Sequence, residues 1–590
     1  MRIVCARQLL ACLLLASVAF AQGAEPSVPA LKAEAQSQPS APPAVAAPQS
    51  PAAKVDRDAF TFTRYNLTAT LSLARRGFAV RGNITLRNDS QQPQARLALQ
   101  ISSTLRWAAI RSGDSGLVFR SDRVTHDIDH TGAVNEATVE LSQPLAPGES
   151  IELEVGYQGT IDQDATRLTR LGMPAALARR SDWDGINGTF TAVRGVGHVV
   201  WYPVALPPAT LDQGSRVFHE LGIWRARHVN SRFRVTYIDD SGKLLFANGE
   251  KKSDVEKVYE LAPMGREGPF FVVGALATVT TANGRVMHPP SQEDAARRVA
   301  ALLAKTEPIV SQSNGKPVSA VVIGLPAGWA GYDNGAVLLT PLPANAAVAA
   351  GAPEQQLAHL ITHANFYSHR PWIYEGLAHL AQVAALEQQQ SRAVAIELLA
   401  RHTTPLTLIA PMEAGPSDAA NSLINATDEI YYRSKAMWVW WMLHQMLTPA
   451  TVKKALAGYQ ADADKEPAYI QRLLEAASGK DLEWFFDDWV YRDRGLPDFR
   501  IVNVYPRENL KGTYMVTVTV ENLGRAAAEV PIRLRMKSGE VTARLLVKAK
   551  SQATIRIETP LPPLEGIVND GSVLESDDSN NRFVLPIAQQ

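Results

Sequence analysis

Two histidines and a glutamate in a stretch of helical pattern constrain this chain more than any other feature. His359 and His363 stand four positions apart, so on a helix both imidazoles project from one face. Glu375 follows twelve positions after His363, where Pro371 and Trp372 open a second apolar helix. Two His and one Glu leave the fourth corner of a zinc tetrahedron for water, as in catalytic rather than structural zinc sites. The pattern predicts a helix pair that holds zinc through His359, His363 and Glu375.

The alternative is that the histidines serve packing only, because H-x-x-x-H arises by chance on many helices. Two further histidines complicate the ligand set. His379 lies four positions after Glu375 on the same helical face, so it is a candidate ligand, a partner that orients a ligand, or a core histidine, and we interpret it as core. His369 falls in the segment between the helices, where we expect it to be exposed to solvent.

Composition places the chain among ordinary globular proteins. Its 590 residues are 46% hydrophobic and 20% charged, and this length suits about three or four domains. The formal net charge is zero, so the overall charge gives no indication of binding to nucleic acid or to an anionic membrane surface. We therefore predict a multidomain α+β protein with no nucleic-acid partner.

Residues 1–21 are typical of a secretory signal peptide. Arg2 and Arg7 precede an apolar run from Leu9 to Phe20, which leads into an A-x-A cleavage signal. The run is too short to span a bilayer, and no other segment reaches that length, so we expect no integral membrane segment after signal removal. Both cysteines lie inside the signal, so the exported protein would have no disulfide. A periplasmic or secreted protein of the cell envelope is predicted.

The remaining chain changes its pattern three times. Residues 22–57 are rich in Ala and Pro and poor in large apolar residues, which predicts a tether. Residues 58–265 alternate apolar and polar side chains, as in 79–86, and predict a large antiparallel β domain. Residues 266–498 are mostly helical in pattern and end at a Gly and Pro stop. Residues 499–590 return to alternation, as in 514–520, and predict a C-terminal immunoglobulin-like β-sandwich.

These motifs resemble the aminopeptidase N-like gluzincins, the membrane alanyl aminopeptidase family. Residues 358–363 stand where the family has A-H-E-x-x-H, and residues 374–378 stand where it has N-E-G-F-A, although the joining loop is shorter here. The joints at 201–203 and 495–497 also match the family, so the resemblance extends over most of the chain after the tether. It implies a zincin-like (thermolysin-like) domain at 266–498, a zinc cofactor, and a metallopeptidase of aminopeptidase type that acts on peptides or protein N-termini.

Two more residues take roles from this resemblance. Tyr432, with the residues that follow it, matches the family's Y-x-K-G-A pattern in length, which implies that its phenol stabilises the tetrahedral oxyanion. The alternative for Tyr432 is an amphipathic tyrosine on a tryptophan-rich helix. Asp333 stands at the glutamate of the family's G-A-M-E-N strand, which implies a role in binding the substrate α-ammonium. The alternative for Asp333 is an ordinary hairpin turn, because Tyr-Asp-Asn-Gly is a turn sequence.

Leu360 occupies the position of the motif's general base. A glutamate there would take a proton from zinc-bound water and pass it to the leaving amine, a role worth about 10²–10⁴ in rate. Because leucine can do neither, we expect a metallopeptidase homologue with lost or weak activity, a pseudoenzyme. Two alternatives stay open. One is an active zinc aminopeptidase that uses another base, and the other is an envelope peptide-binding or adhesion and scaffold protein without metal.

Overall fold

The computed structural model describes residues 55–253, 255–310, 318–343, 352–403, 406 and 422–586. The predicted signal peptide and nearly all of the predicted tether lie outside these residues. The described chain is a multidomain α+β structure with several sheets, as expected. Within it, none of the helices has the length and hydropathy that a transmembrane span requires.

The N-terminal strands form an eight-stranded sheet in the order β12-β13-β10-β1-β2-β8-β4-β5 and two three-stranded sheets, β3-β7-β6 and β11-β14-β9. The predicted alternation is visible in β1, where Tyr65, Leu67, Ala69 and Leu71 are all buried on one face. The strands are β1 (Phe60–Ser72), β2 (Gly77–Asn88), β3 (Gln94–Ser102), β4 (Leu105–Ser112), β5 (Ser115–Gly116), β6 (Phe119–Thr125), β7 (Ala133–Leu145), β8 (Ser150–Thr160), β9 (Phe190–Val193), β10 (Arg232–Asp239), β11 (Leu244–Ala247), β12 (Glu250–Lys251), β13 (Lys257–Leu261) and β14 (Phe271–Gly274).

The prediction of a large antiparallel N-terminal β domain is wrong in one pairing. Strands β1 and β10 run parallel, with Arg64 opposite Arg232 and Leu71 opposite Asp239. A hairpin forces its two strands to be antiparallel, but the chain reaches β10 from β1 only after eight other strands and three α-helices, the last of which is Arg216–His228. Side-chain alternation is the same for both directions, so the sequence pattern did not distinguish them.

A five-stranded mixed sheet lies under the predicted metal site. Its order is β15-β16-β17-β19-β18, in which β16, β17 and β19 are parallel and both edge strands are antiparallel. The central strand is buried at every position, as expected for a parallel strand that is covered on both faces. The strands are β15 (Ala277–Thr280), β16 (Gly284–His288), β17 (Ala320–Leu325), β18 (Tyr332–Asn334) and β19 (Val337–Pro341).

Three helices carry the candidate site. We call Ala352–Asn365 the first site helix, Pro371–Gln389 the second site helix and Glu429–Leu447 the tryptophan helix. The second site helix packs tightly on the tryptophan helix at Gly376, where an added Cβ would lie 2.5 Å from Trp440 Cδ1 and 2.8 Å from Ala436 Cβ. The other α-helices of the described residues are Thr166–Thr169, Ala175–Ser181, Arg216–His228, Glu293–Val310, Arg392–Arg401, Pro449–Ala457, Tyr469–Ser478 and Glu483–Phe486.

The C-terminal strands form two antiparallel sheets, β20-β21-β24 and β23-β22-β25-β26. Their apolar core is continuous with that of the helices, and Trp489 Nε1 donates a hydrogen bond of 2.8 Å to the carbonyl of Ala527 across the joint. The domain limits at 265 and 498, and the immunoglobulin-like arrangement, stay predictions. The strands are β20 (Phe499–Glu508), β21 (Tyr514–Asn522), β22 (Ala528–Met536), β23 (Glu540–Val547), β24 (Ser551–Thr559), β25 (Pro563–Val568) and β26 (Arg582–Val584).

Candidate metal centre

The structure brings the three predicted metal ligands together. His359 and His363 lie one turn apart on the first site helix, with their Nε2 atoms 3.0 Å apart. Glu375, on the second site helix, places Oε2 3.8 Å from each of those nitrogens. All three residues are buried, and the donor atoms lie within 4.8 Å of one another.

This donor set fits zinc. Zinc–ligand bonds of about 2.0–2.2 Å in a tetrahedron place donor atoms about 3.3–3.6 Å apart. The observed separations of 3.0 and 3.8 Å bracket that range. Metal binding also requires neutral imidazoles. Burial, together with the neighbouring His359 ring, lowers the pKa of His363 despite the opposing charge of Glu375, so the unprotonated imidazole is favoured.

Among the described residues, neither candidate histidine ligand has the hydrogen-bond partner that usually orients a metal-binding imidazole. Metal-binding histidines commonly donate their second ring nitrogen to a carboxylate or carbonyl. Here the Nδ1 atoms of both His359 and His363 are buried without a hydrogen-bond partner in the described part of the chain. The two imidazoles are therefore held in place by packing more than by hydrogen bonds.

The other two histidines lie outside the donor set. The His379 ring is 4.8 Å from that of His359, and its Nδ1 is 2.8 Å from Gln382 Oε1. Burial lowers the pKa of His379 well below its usual range, as expected for a core histidine beside other imidazoles. His369 lies in the loop between the site helices, with 40% of its side chain exposed.

Leu360 is buried in an apolar cluster beneath the first site helix. It is 1% exposed and belongs to the same cluster as Leu357 and Ile361 of its own helix and Leu338 of β19. The position of the motif's general base is therefore filled by a core side chain, and a carboxylate here would lie in apolar surroundings.

Asp333 faces the centre from strand β18. Strands β18 and β19 form a hairpin, and its two turn residues are Gly335, at φ +57°, and Ala336 rather than Asn-Gly. Within this hairpin Asp333 Oδ2 lies 3.5 Å from His359 Nε2 and 3.4 Å from Arg433 Nη2. Burial disfavours its charged form, but Arg433 and His359 together hold the pKa of Asp333 well below its usual range. The two interpretations of Asp333 are therefore compatible, because the residue belongs to a hairpin and also lies beside His359.

The sequence analysis gave no role to Arg433, whose guanidinium lies beside three carboxylates of the site. Its Nε is 3.2 Å from Glu375 Oε2, and its Nη2 is 3.1 Å from Glu429 Oε1. Glu429 also pairs with Arg225 at 2.5 Å, which ties the tryptophan helix to the N-terminal region. Although burial opposes ionisation, Arg433 and the imidazoles hold the pKa of Glu375 below its usual range. The one available signal was the Glu429 and Arg433 spacing of four on a helix.

Tyr432 lies on the same helix as Arg433. It is buried, and burial together with the charges of Glu429 and Glu375 raises the pKa of its phenol, so the phenol stays protonated at neutral pH. The phenol is thus a neutral hydrogen-bond donor that interacts electrostatically with Glu429 and Glu375. Its role in stabilising an oxyanion stays a prediction.

A second group of potential ligands is already filled by cations. Asp182, Asp184 and His198 also lie within 4.8 Å of one another. However, Arg167 Nη2 contacts Asp182 at 2.6 Å and Arg194 Nη2 contacts Asp184 at 2.6 Å. The two guanidinium groups satisfy both carboxylates, so this group is an ion-pair network of the N-terminal region.

Comparisons with known proteins support the fold. Neither the family models nor the curated protein sequences give a match to this chain. Among solved structures, Legionella pneumophila aminopeptidase A in complex with aspartic acid aligns with a TM-score of 0.55 at 12% identity, covering 88% of this chain and 60% of that one. This chain thus spans less than two thirds of the Legionella protein, and the likeness shows a shared fold.

Shorter structures of one bacterial protein also align. The M1 zinc metallopeptidase from Deinococcus radiodurans gives a TM-score of 0.43 at 16% identity, covering 75% of this chain and 96% of that one. A mutant of it bound to a Tyr-Ser-Ala substrate gives 0.45 with the same identity and coverage.

Proposed function

We propose that this chain is an exported, aminopeptidase N-like zinc metallopeptidase homologue with lost or weak peptidase activity. The observation that carries the proposal is the convergence of His359, His363 and Glu375 beside a general-base position at which Leu360 is buried in the core. The aminopeptidase fold supports the same assignment. Export to the periplasm or cell exterior is part of the proposal, and it is supported by the signal-like pattern of residues 1–21.

The residues around the centre would take distinct parts. His359, His363 and Glu375 would hold zinc, which when bound lowers the pKa of a water ligand and polarises a carbonyl. The Tyr432 phenol is protonated and can donate a hydrogen bond to a peptide carbonyl oxygen. The Asp333 carboxylate is ionised and can accept hydrogen bonds from a peptide amine. This set suits the binding of peptides or protein N-termini.

The proposal predicts that the purified chain binds about one zinc ion, and that His363→Ala loses stoichiometric zinc because two donors remain. The measurement is metal content by mass spectrometry after gel filtration, with His369→Ala as a control histidine removed from the exposed loop. Hydrolysis of aminoacyl fluorogenic substrates should stay near background in all three proteins. Absence of zinc from the wild type would instead favour the metal-free peptide-binding or scaffold alternative.

The position of Asp333 favours a second function, that of a zinc aminopeptidase with Asp333 as the base. Its turnover would be weak, because Arg433 helps to hold the pKa of Asp333 well below its usual range and a carboxylate of low pKa is a poor base. The carboxylate oxygen of Asp333 is 3.5 Å from a ligand nitrogen, and no other carboxylate outside the ligand set contacts either histidine of the centre in the described residues. On this reading Asp333→Asn lowers residual, chelator-sensitive turnover about 10²-fold, while Asp462→Asn, an exposed carboxylate near His369, leaves it unchanged. Turnover that is insensitive to both substitutions would exclude this function.

A further inference from the structure

One guanidinium sits among three carboxylates at the centre. Arg433 lies 3.2 Å from Glu375, 3.4 Å from Asp333 and 3.1 Å from Glu429. Its Nε has no hydrogen bond of good geometry among the described residues, so the contact with Glu375 is an ion pair rather than an aligned hydrogen bond. An ion pair of this kind can be exchanged for another cation without loss of a directed bond.

The Arg433 guanidinium and a metal ion would both contact the same oxygen atom of Glu375. Glu375 Oε2 is the oxygen that faces both His359 and His363, and it is also the oxygen nearest to Arg433 Nε. A carboxylate oxygen that neutralises a guanidinium is a weaker donor to a second cation, and like charges held close together repel. The positive charge of Arg433 therefore disfavours the binding of a metal ion at Glu375.

We propose that Arg433 competes with a divalent metal ion for Glu375 and so sets the metal affinity of the centre. The inference rests on the proposed metal site and adds to it the residue that tunes it. With the metal absent, Arg433 compensates the buried carboxylates and stabilises the empty centre. With the metal bound, its charge opposes the ion, so the affinity is lower than the three donors alone would give.

The test uses the full exported chain, stripped with a chelator, in zinc chloride titrations followed by calorimetry and by thermal unfolding. Arg433→Gln is expected to bind zinc at least about 10-fold more tightly than the wild type, because the substitution removes a positive charge that repels the ion at close range. Its metal-free form should melt at a lower temperature, because Glu375 and Asp333 lose their cation. Zinc should then raise its melting temperature by more than it raises that of the wild type.

Two companion variants complete the design. Arg433→Lys keeps the charge but holds it on a shorter side chain, farther from Glu375, so its zinc affinity should fall between those of the wild type and Arg433→Gln. An affinity above that of the wild type provides the test if the glutamine variant is insoluble. Arg392→Gln is the matched control. Arg392 pairs with Glu387 at 3.0 Å and Asp570 at 3.1 Å outside the centre, and its loss should leave the zinc affinity unchanged.

The outcomes separate this inference from the proposed function. Zinc binding by Arg433→Gln alone would refute zinc in the wild type and support the competition. Equal affinity in the two proteins would keep the metal site and overturn the competition, and weaker binding by Arg433→Gln would show that Arg433 instead holds Glu375 in place for the metal. Failure of both to bind zinc would overturn both statements.

Discussion

Replacing Leu360 by glutamate is expected to raise zinc-dependent aminopeptidase activity by about 10²–10⁴-fold, the usual contribution of a general base. The substitution puts a carboxylate next to His359 on the first site helix, at the position that deprotonates the metal-bound water in the motif. The measurement is the initial rate on aminoacyl fluorogenic substrates, with and without a chelator. A gain that the chelator abolishes would show that the centre keeps a productive geometry.

The same substitution carries a cost in stability. Leu360 is 1% exposed in an apolar cluster, so an unpaired carboxylate there is expected to lower the free energy of unfolding of the metal-free protein by about 3–5 kcal/mol. Leu360→Gln is the matched control, because it has nearly the same shape and cannot accept the proton. Equal rates in the glutamate and glutamine variants would mean that the carboxylate does not reach the reacting water.

Replacing Arg194 by methionine is expected to lower the free energy of unfolding by about 3–5 kcal/mol, because it leaves a buried carboxylate without its partner. Arg194 is 4% exposed and pairs with Asp184, which is fully buried. Burial alone would raise the pKa of Asp184, and Arg194 is the principal group that holds it below the usual range. Urea denaturation of the wild type and the variant measures the difference.

Arg194 also supports the strand that carries Asp333. Its guanidinium lies 3.9 Å over the Trp183 ring and 5.4 Å from that of Tyr332, which precedes Asp333 in β18. Adding Asp184→Asn to Arg194→Met removes the orphaned charge, so the double variant should recover part of the lost stability. A double variant less stable than either single one would show that the two residues contribute independently.

The site residues that can be predicted from the sequence lie on short segments with helical periodicity. His359 and His363 are four apart, and helix geometry alone puts them on one face. Glu375 follows a recognisable helix start, and Leu360 is identified as a missing base because it stands where the H-E-x-x-H motif has its glutamate. The resemblance to a family added Asp333, which is distant in sequence, and the structure places it beside His359.

The part that was missed depends on contacts between distant segments. Arg433 is an ordinary residue of a helix in the sequence, yet packing of that helix on the second site helix puts its guanidinium against Glu375. Arg225 reaches Glu429 from the N-terminal region in the same way. The parallel pairing of β1 and β10 was likewise invisible, because alternation specifies which face is buried and leaves strand direction open.

The sequence by itself therefore determined the pattern of the local elements, the pairing of His359 with His363 on one helical face and the leucine that follows His359, since each follows from spacing along a single segment. The tertiary structure alone decided which charges meet the candidate metal donors. Electrostatic energy depends on distances through space, and the cation closest to the predicted ligand oxygen comes from a helix more than fifty residues away along the chain. The electrostatic surroundings of the three candidate ligands are a property of that packing.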